Sequence, residues 1–394
     1  MIMTETPITE ITLKDNRRVT VRAASDTDMN GIRKLYYDVY GGRYTLDEVN
    51  DKDKMKWVIH DPNYLWLVAL DAEQIVGSLI FVADPLHRVG KLFAGVVHPQ
   101  YQGKHLLQNM LKFTVTHELE TENRVDLMYA VHRTVSLAPQ IVLDKMGFVG
   151  LGIFPNVHRV RKFETHGLKA IFHQAALENR ITPPKIIPQV YPIFKITGKL
   201  LNLGEGVEIF DSPLPDHPEA RIEFLIERSK EVEWEYYETR DQGDLMLDYF
   251  PFHYPNVKLY TKDQDTQVFM VFHPSDGHAC LLGLKTTRAD LINVLNATAD
   301  YAESLGSKYL EVLIPAQDPV LQKLAYRAYF LPCAYFPAFK LGPEGKRLDY
   351  IVASRSFVPI NFKGVHLDDQ TRPYLLAFYK IYSNRLLEDI ESDI

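Results

Sequence analysis

Hydrophobic and polar positions change period several times along this chain, and each change predicts an element. Residues 18–24 alternate and run into Ser25-Asp26-Thr27-Asp28, a strand leading into a capped helix start. Over 28–40 the apolar residues Met29, Ile32, Leu35, Tyr36 and Val39 share one helical face, and 45–60 predicts a second, more polar helix beginning near Thr45. Residues 64–70, 74–83 and 89–97 read as three strands in quick succession, the first two joined by the turn Asp71-Ala72-Glu73. A helix over 106–120, a strand over 125–131, a helix over 135–146 and a strand over 150–154 follow, with 167–172 as a last strand.

Beyond residue 160 the pattern weakens. Pro183, Pro184, Pro188 and Pro192 interrupt a β-branched run, which predicts an extended surface connector. The expected domains are therefore 1–165, a Pro-rich connector over 166–205, and 206–394. The second half predicts strands at 207–211, 257–261, 267–272 and 278–284, with helices at 217–230 and 288–305. A strand at 309–314, a helix at 320–328 and strands at 333–339 and 349–354 complete it. Residues 127–156 align without a gap with 309–338, an offset of 182: Gln140 matches Gln322, Phe148 matches Phe330, and Phe154-Pro155 matches Phe336-Pro337. With the shared element order, this predicts an internal duplication.

The length of 394 residues suits two domains or three, and 46% hydrophobic with 24% charged residues is an ordinary globular composition. A net charge of -7 and no basic block argue against nucleic-acid binding by counterion release. Cys280 and Cys333 alone make neither a disulfide framework nor a CxxC ligand pair. That usage, with an N-terminus lacking a signal-peptide core and no run approaching roughly 18 apolar residues, predicts a cytoplasmic protein without a membrane span.

The chemistry concentrates in 93–112, FAGVVHPQYQGKHLLQNMLK. An apolar strand ends at His98-Pro99, a polar turn holds Gly103, and an amphipathic helix starts at once. Backbone N–H groups at such a helix N-terminus form a site for an anion such as a pyrophosphate.

The whole order of strand, two helices, three strands, helix, strand, helix, strand resembles the GNAT family of N-acetyltransferases over roughly residues 18–160. Gln102-Gly103-Lys104-His105-Leu106-Leu107 falls where that family carries Arg/Gln-x-x-Gly-x-Gly/Ala. Lys145-Met146-Gly147-Phe148 resembles its helix-end Lys-x-Gly-Phe. The resemblance implies an α+β chain of two GNAT-like domains, each a mixed, largely antiparallel sheet flanked by helices, the second degenerate. It implies an acyl-CoA donor, acetyl-CoA first among them, with Ala94, Gly95, Val96 and Val97 offering backbone to the thioester and pantetheine. Gln102 to Leu107 would hold the pyrophosphate. His105 and Leu107 replace small residues, so that His105 either tightens the loop or donates to the phosphate. Leu143 stands where the family often has a Tyr as general acid, and Ser136 where it has a helix-start Asn.

Substitute proton carriers are His132, Ser136 and Tyr129, with His98 as a candidate base. Tyr44, Asp47 and Glu48 fall in the segment that frames the acceptor, where carboxylates suit a cationic amine, small molecule or peptide. The acidic aromatic run 231–238 could receive an amine too. In the second half, Lys285-Thr286-Thr287-Arg288 has no glycine, which predicts a copy without cofactor that shapes a groove, docks on the first copy or dimerises. The alternative to an enzyme is an acyl-CoA sensor or scaffold without catalysis. A transferase drawing on aminoacyl-tRNA also fits a tandem layout, against which the acidic pI counts.

Overall fold

The computed structural model describes residues 9–42, 44, 46–159, 162–204, 206–214 and 219–392; Thr45, expected near a helix start, lies outside them. The chain forms two compact units: 1–131 with 138–148 and 169–173, and 132–137 with 149–168 and 174–394. In chain order the first elements are β1 (Thr9–Thr12), β2 (Arg18–Ala23), α1 (Met29–Tyr40), α2 (Asp47–Asn50) and α3 (Lys52–His60). Then come β3 (Tyr64–Asp71), β4 (Gln74–Asp84), β5 (Val89–Val97), α4 (Leu106–Val115), β6 (Leu127–Arg133), α5 (Ala138–Lys145), β7 (Val149–Arg159) and β8 (Phe163–Phe172). The middle of the chain holds α6 (Gln174–Glu178), β9 (Lys185–Ile186), α7 (Tyr191–Leu201), β10 (Glu208–Ile209), β11 (Leu225–Glu227) and α8 (Glu231–Asp241). The rest is β12 (Val257–Tyr260), β13 (Gln267–His273), β14 (His278–Lys285), α9 (Leu291–Ser304), β15 (Tyr309–Pro315), α10 (Pro319–Arg327), β16 (Leu331–Leu341), β17 (Arg347–Ser356) and α11 (Arg372–Ser392). The fold is mixed α+β, with mostly antiparallel strands.

In the first unit β1 to β5 pair antiparallel in sequence order, and β5 then pairs parallel with β6. One face of this sheet is covered by α4 and α5, whose Leu106, Met110, Leu111 and Leu143 pack with Leu79, Leu92 and Met128. The other face carries α1 to α3 through Ile32, Leu35, Tyr36, Met55 and Val58. The helix expected over 45–60 is broken at Asp51, whose carboxylate accepts from Asp53 N and Lys54 N and so caps α3. The helix expected to reach 120 changes to a π-type turn over Thr116–Thr121.

In the second unit the ladder runs β7, β16, β17, β15, β14, β13, β12, β11. The connector expected over 166–205 contains α7, with Pro192 in its first turn, where a missing N–H leaves no helical bond unmade. Ile186, Ile187, Val190, Ile193 and Phe194 are buried there, so this stretch is packed rather than laid on the surface. The helix expected over 217–230 is absent among the described residues. Residues 225–227 form β11, an edge strand on β12, and the helix begins only at Glu231. Residues 221–224 lie in neither helix nor strand, and their polar–apolar alternation, with Phe224 buried, does not have a helix's period. The acidic aromatic run is α8 itself, with Val232 and Tyr236 buried.

Element bounds recur along the chain. β6 and β7, at 127–133 and 149–159, have counterparts in β15 and β16 at 309–315 and 331–341, and α5 at 138–145 has α10 at 319–327. Both β5–β6 and β14–β15 are parallel ladders four pairs long. Asn156 and Ala338 both take left-handed φ, 61° and 55°. Where β7 meets β16, the paired residues are Gly152 and Ala334, again 182 positions apart.

Candidate active site in the first unit

β5 is irregular over Phe93 to Val96, the stretch to which the resemblance assigns a thioester. Against β4, Phe93 pairs with Ile80 and Val96 with Ser78, so β5 takes one residue more than its partner over this step. The extra residue leaves Ala94 at φ 55°, the left-handed region that usually selects glycine. Its carbonyl accepts from the Tyr36 hydroxyl at 2.5 Å, which fixes the bulge from the α1 side. Tyr36 is buried, and that burial pushes its hydroxyl far above the ordinary phenol range, keeping it a neutral donor. Trp66 Nε1 donates to Ser78 Oγ at 2.8 Å beside it, so the polar groups below the bulge are satisfied.

The parallel ladder of β5 with β6 ends at Leu92–Ala130. Among the described residues, Phe93 to Val97 have no ladder to β6. Gly95 is exposed; a Cβ there would lie 3.3 Å from Leu107 Cδ1, so Leu107 leans over the strand where a smaller residue would leave space. Val96 and Val97 are buried and anchor the strand.

The loop that follows is held at both ends. His98 Nδ1 accepts from Gln100 N at 3.4 Å, and its ring meets Tyr101 edge-on, so His98 caps the turn at the end of β5. Gln102 Nε2 donates to Val97 O at 3.1 Å and ties the loop to the strand. Lys104 reaches Asp15 at 2.8 Å and places its charge against β1–β2. Gly103 and His105 both have left-handed φ, 72° and 66°, the latter immediately before buried Leu106 opens α4. The loop thus keeps a glycine-type conformation at His105 without the glycine. A non-glycine residue there costs roughly 1–2 kcal/mol, partly offset because glycine loses more chain entropy on folding. Exchanging His105→Gly is expected to raise stability by about 0.5–1 kcal/mol in urea unfolding.

Tyr36, Tyr40 and Tyr44 form a ladder beside this strand. Ring centroids lie 4.8 Å apart for Tyr36–Tyr44 and 4.6 Å for Tyr40–Tyr44. Glu48, largely buried, pairs with Lys54 at 3.5 Å, while Asp47 is exposed at the start of α2. The spacing of Tyr36, Tyr40 and Tyr44 by four residues was visible in the sequence, but the first reads there as core and the link to Ala94 has no sequence signal. Such a stack beside a carboxylate can receive a cationic amine.

Tyr129 is buried on β6, paired with Lys91 one step before the ladder ends. Leu143 is core.

Polar cluster of the second unit

His132 and Ser136 belong to the second unit. His132 is buried with its ring on Gly167, where a Cβ would come within 2.5 Å of its Cε1. Ser136 is exposed ahead of α5. Next to them is a cluster the sequence did not single out, because its members are spread over three strands. Arg133 makes a two-pronged pair with Glu164, both contacts at 2.8 Å, and His166 Nε2 stands 3.7 Å from the same carboxylate. His158 faces His166 and bonds Asp276 at 3.1 Å.

Burial opposes the charge on Glu164, but the contacts to His166 and Arg133 outweigh it and hold the carboxyl at about 2. Burial also lowers His166, the nearby carboxylate opposing it, so His166 is neutral near pH 7. The depressed Glu164 value means its stabilisation is complete above the usual pKa of 4.5 and is lost as pH falls toward 2. Unfolding free energy should drop by on the order of 2–3 kcal/mol across that window, and Glu164→Gln should flatten the dependence in urea titrations at successive pH values.

Comparison with known proteins

No protein-family model and no curated protein matches this chain. Solved structures of GNAT N-acetyltransferases do resemble it over part of its length. A ribosomal L7/L12 α-N-protein acetyltransferase is 12% identical, with 39% of this chain and 90% of that one covered and a TM-score of 0.35. A ribosomal-protein-S5-alanine acetyltransferase from Vibrio fischeri is 14% identical over 42% and 97%, at 0.36. A GNAT-family acetyltransferase from Streptococcus pneumoniae is 18% identical over 39% and 98%, at 0.35. Each match spans nearly all of the other chain and about two fifths of this one. Among the described residues no helix is long and apolar enough to cross a membrane.

Proposed function

We propose that this protein is an N-acyltransferase that takes an acetyl group from acetyl-CoA and passes it directly to an amine. The observation that carries the reading is the break in β5: it leaves β6 after Leu92, bulges at Ala94 and ends in a loop with two left-handed residues at the start of α4. That combination suits a thioester laid along an open strand edge and a pyrophosphate at a helix N-terminus. Ala94 to Val97 hold pantetheine and the thioester oxygen. The loop from Gln102 to Leu107 takes the phosphates. Tyr40, Tyr44 and Glu48 receive the amine.

The amine nitrogen attacks the thioester carbon, the C–S bond breaks, the amine gives up a proton and the departing thiolate takes one. Tyr129 is the proposed carrier within the first unit, tested by Tyr129→Phe; the other two candidates, His132 and Ser136, belong to the second unit and are tested by themselves with His132→Gln and Ser136→Ala. The second run of strands and helices is proposed to be a copy without cofactor. Its loop at 285–290 has no left-handed residue, in keeping with that role.

Calorimetry with acetyl-CoA and a turnover assay over polyamines and peptide N-termini test the reading. Binding with transfer is expected. Binding without transfer to any amine would favour the sensor reading, to which the buried Leu143 lends support. Gln102→Ala, which frees Val97 O, should weaken acetyl-CoA binding about three- to tenfold, the worth of roughly one hydrogen bond.

A further inference from the structure

Far along the chain, one face of two neighbouring strands gathers a different kind of chemistry. His278 and Cys280 are two apart on β14 and so point to the same side, and Cys280 pairs in register with Glu311 on β15. Their donor atoms converge. His278 Nε2 is 3.3 Å from Glu311 Oε1, Cys280 Sγ is 3.4 Å from the same oxygen, and Sγ is 3.8 Å from His278 Nε2. A tetrahedral zinc ion bound at 2.0–2.3 Å spans ligand edges of about 3.4–3.6 Å, so the three atoms already form one face of such a tetrahedron. We propose that His278, Cys280 and Glu311 bind a divalent transition metal of the zinc class.

Three further observations support the site. The second oxygen of Glu311 accepts from the Tyr309 hydroxyl at 3.2 Å, the kind of outer contact that orients a ligating carboxylate. Glu311 and Cys280 are buried while His278 keeps some solvent contact, so an ion has a way in. The fold itself does not require these residues: at the matching register of β5 and β6, Val89, Lys91 and Tyr129 stand in the places of His278, Cys280 and Glu311. A mixed N, S, O set suits zinc, or cobalt as its spectroscopic substitute, rather than magnesium or calcium. Three protein ligands leave one position for water or another small ligand.

Cobalt(II) added to the chelator-treated full chain tests this. One equivalent should give a thiolate-to-cobalt charge-transfer band in the near ultraviolet, and zinc should abolish it. Cys280→Ser and Cys280→Ala should remove the band and lower zinc affinity by at least about 100-fold, while Tyr309→Phe should lower affinity by about tenfold. Cys333→Ser should leave the band intact, and circular dichroism of each metal-free variant shows whether it folds. No band in the wild type, or an equal zinc affinity in folded Cys280→Ala, would overturn the site and leave the triad as a hydrogen-bonded network.

Discussion

Gly152→Val is expected to unfold the second unit at a temperature far below the wild type, or to prevent its folding. A Cβ at Gly152 would lie 2.1 Å from Ala334 Cβ, 2.5 Å from Ala334 Cα and 2.6 Å from Cys333 O. Two of those three atoms are backbone, so no side-chain rotation can make room. β7 and β16 would have to separate at their pairing point, where α7 packs Phe194 on Tyr335 with ring centroids 5.0 Å apart. Overpacking usually costs about 1–3 kcal/mol; with backbone in the way the loss should exceed about 3 kcal/mol, a large share of a domain's stability. Thermal unfolding followed by circular dichroism measures it. Gly150→Ala, whose nearest atoms are 3.4 Å away, is the control and should cost far less.

Asp349→Asn should be nearly as damaging, by a different route. Arg180 Nε lies 3.0 and 3.1 Å from the two oxygens of Asp349, and both residues are buried. The same carboxylate accepts from Tyr335 OH at 2.5 Å and from Ala338 N at 2.8 Å. Neutralising it leaves the guanidinium buried without its counter-charge, a loss of about 3–5 kcal/mol. Denaturant unfolding is the measurement, with Asp369→Asn on the exposed surface expected to change little.

What could be read from the sequence, and what could not, follows from the range of the interactions. The strands β3 to β5, the helix α4 and the strand β6 stand out because their periods of two and 3.6 are local properties. The 182-residue recurrence was visible too, through Gln140 and Gln322, Phe148 and Phe330. That Gly152 would meet Ala334 was not, since the contact depends on how separate strands assemble. His105 shows the other limit. Its residue type argues against a glycine-like turn, yet the strand end fixed by Gln102 and the start of α4 at Leu106 hold it at φ 66°. Tertiary context overrides local preference there. The cluster of Arg133, Glu164 and His166 escaped notice because no spacing in the sequence joins the end of β6 to β8.

The proposed acyl-CoA site consists of the broken strand β5 and the loop from Gln102 to Leu107. Isothermal titration of the full chain with acetyl-CoA tests it most directly. Saturable one-to-one binding below millimolar concentration, weakened by Gln102→Ala and retained by His105→Gly, is the predicted result. No heat of binding up to millimolar acetyl-CoA, from protein shown by circular dichroism to be folded, would contradict it.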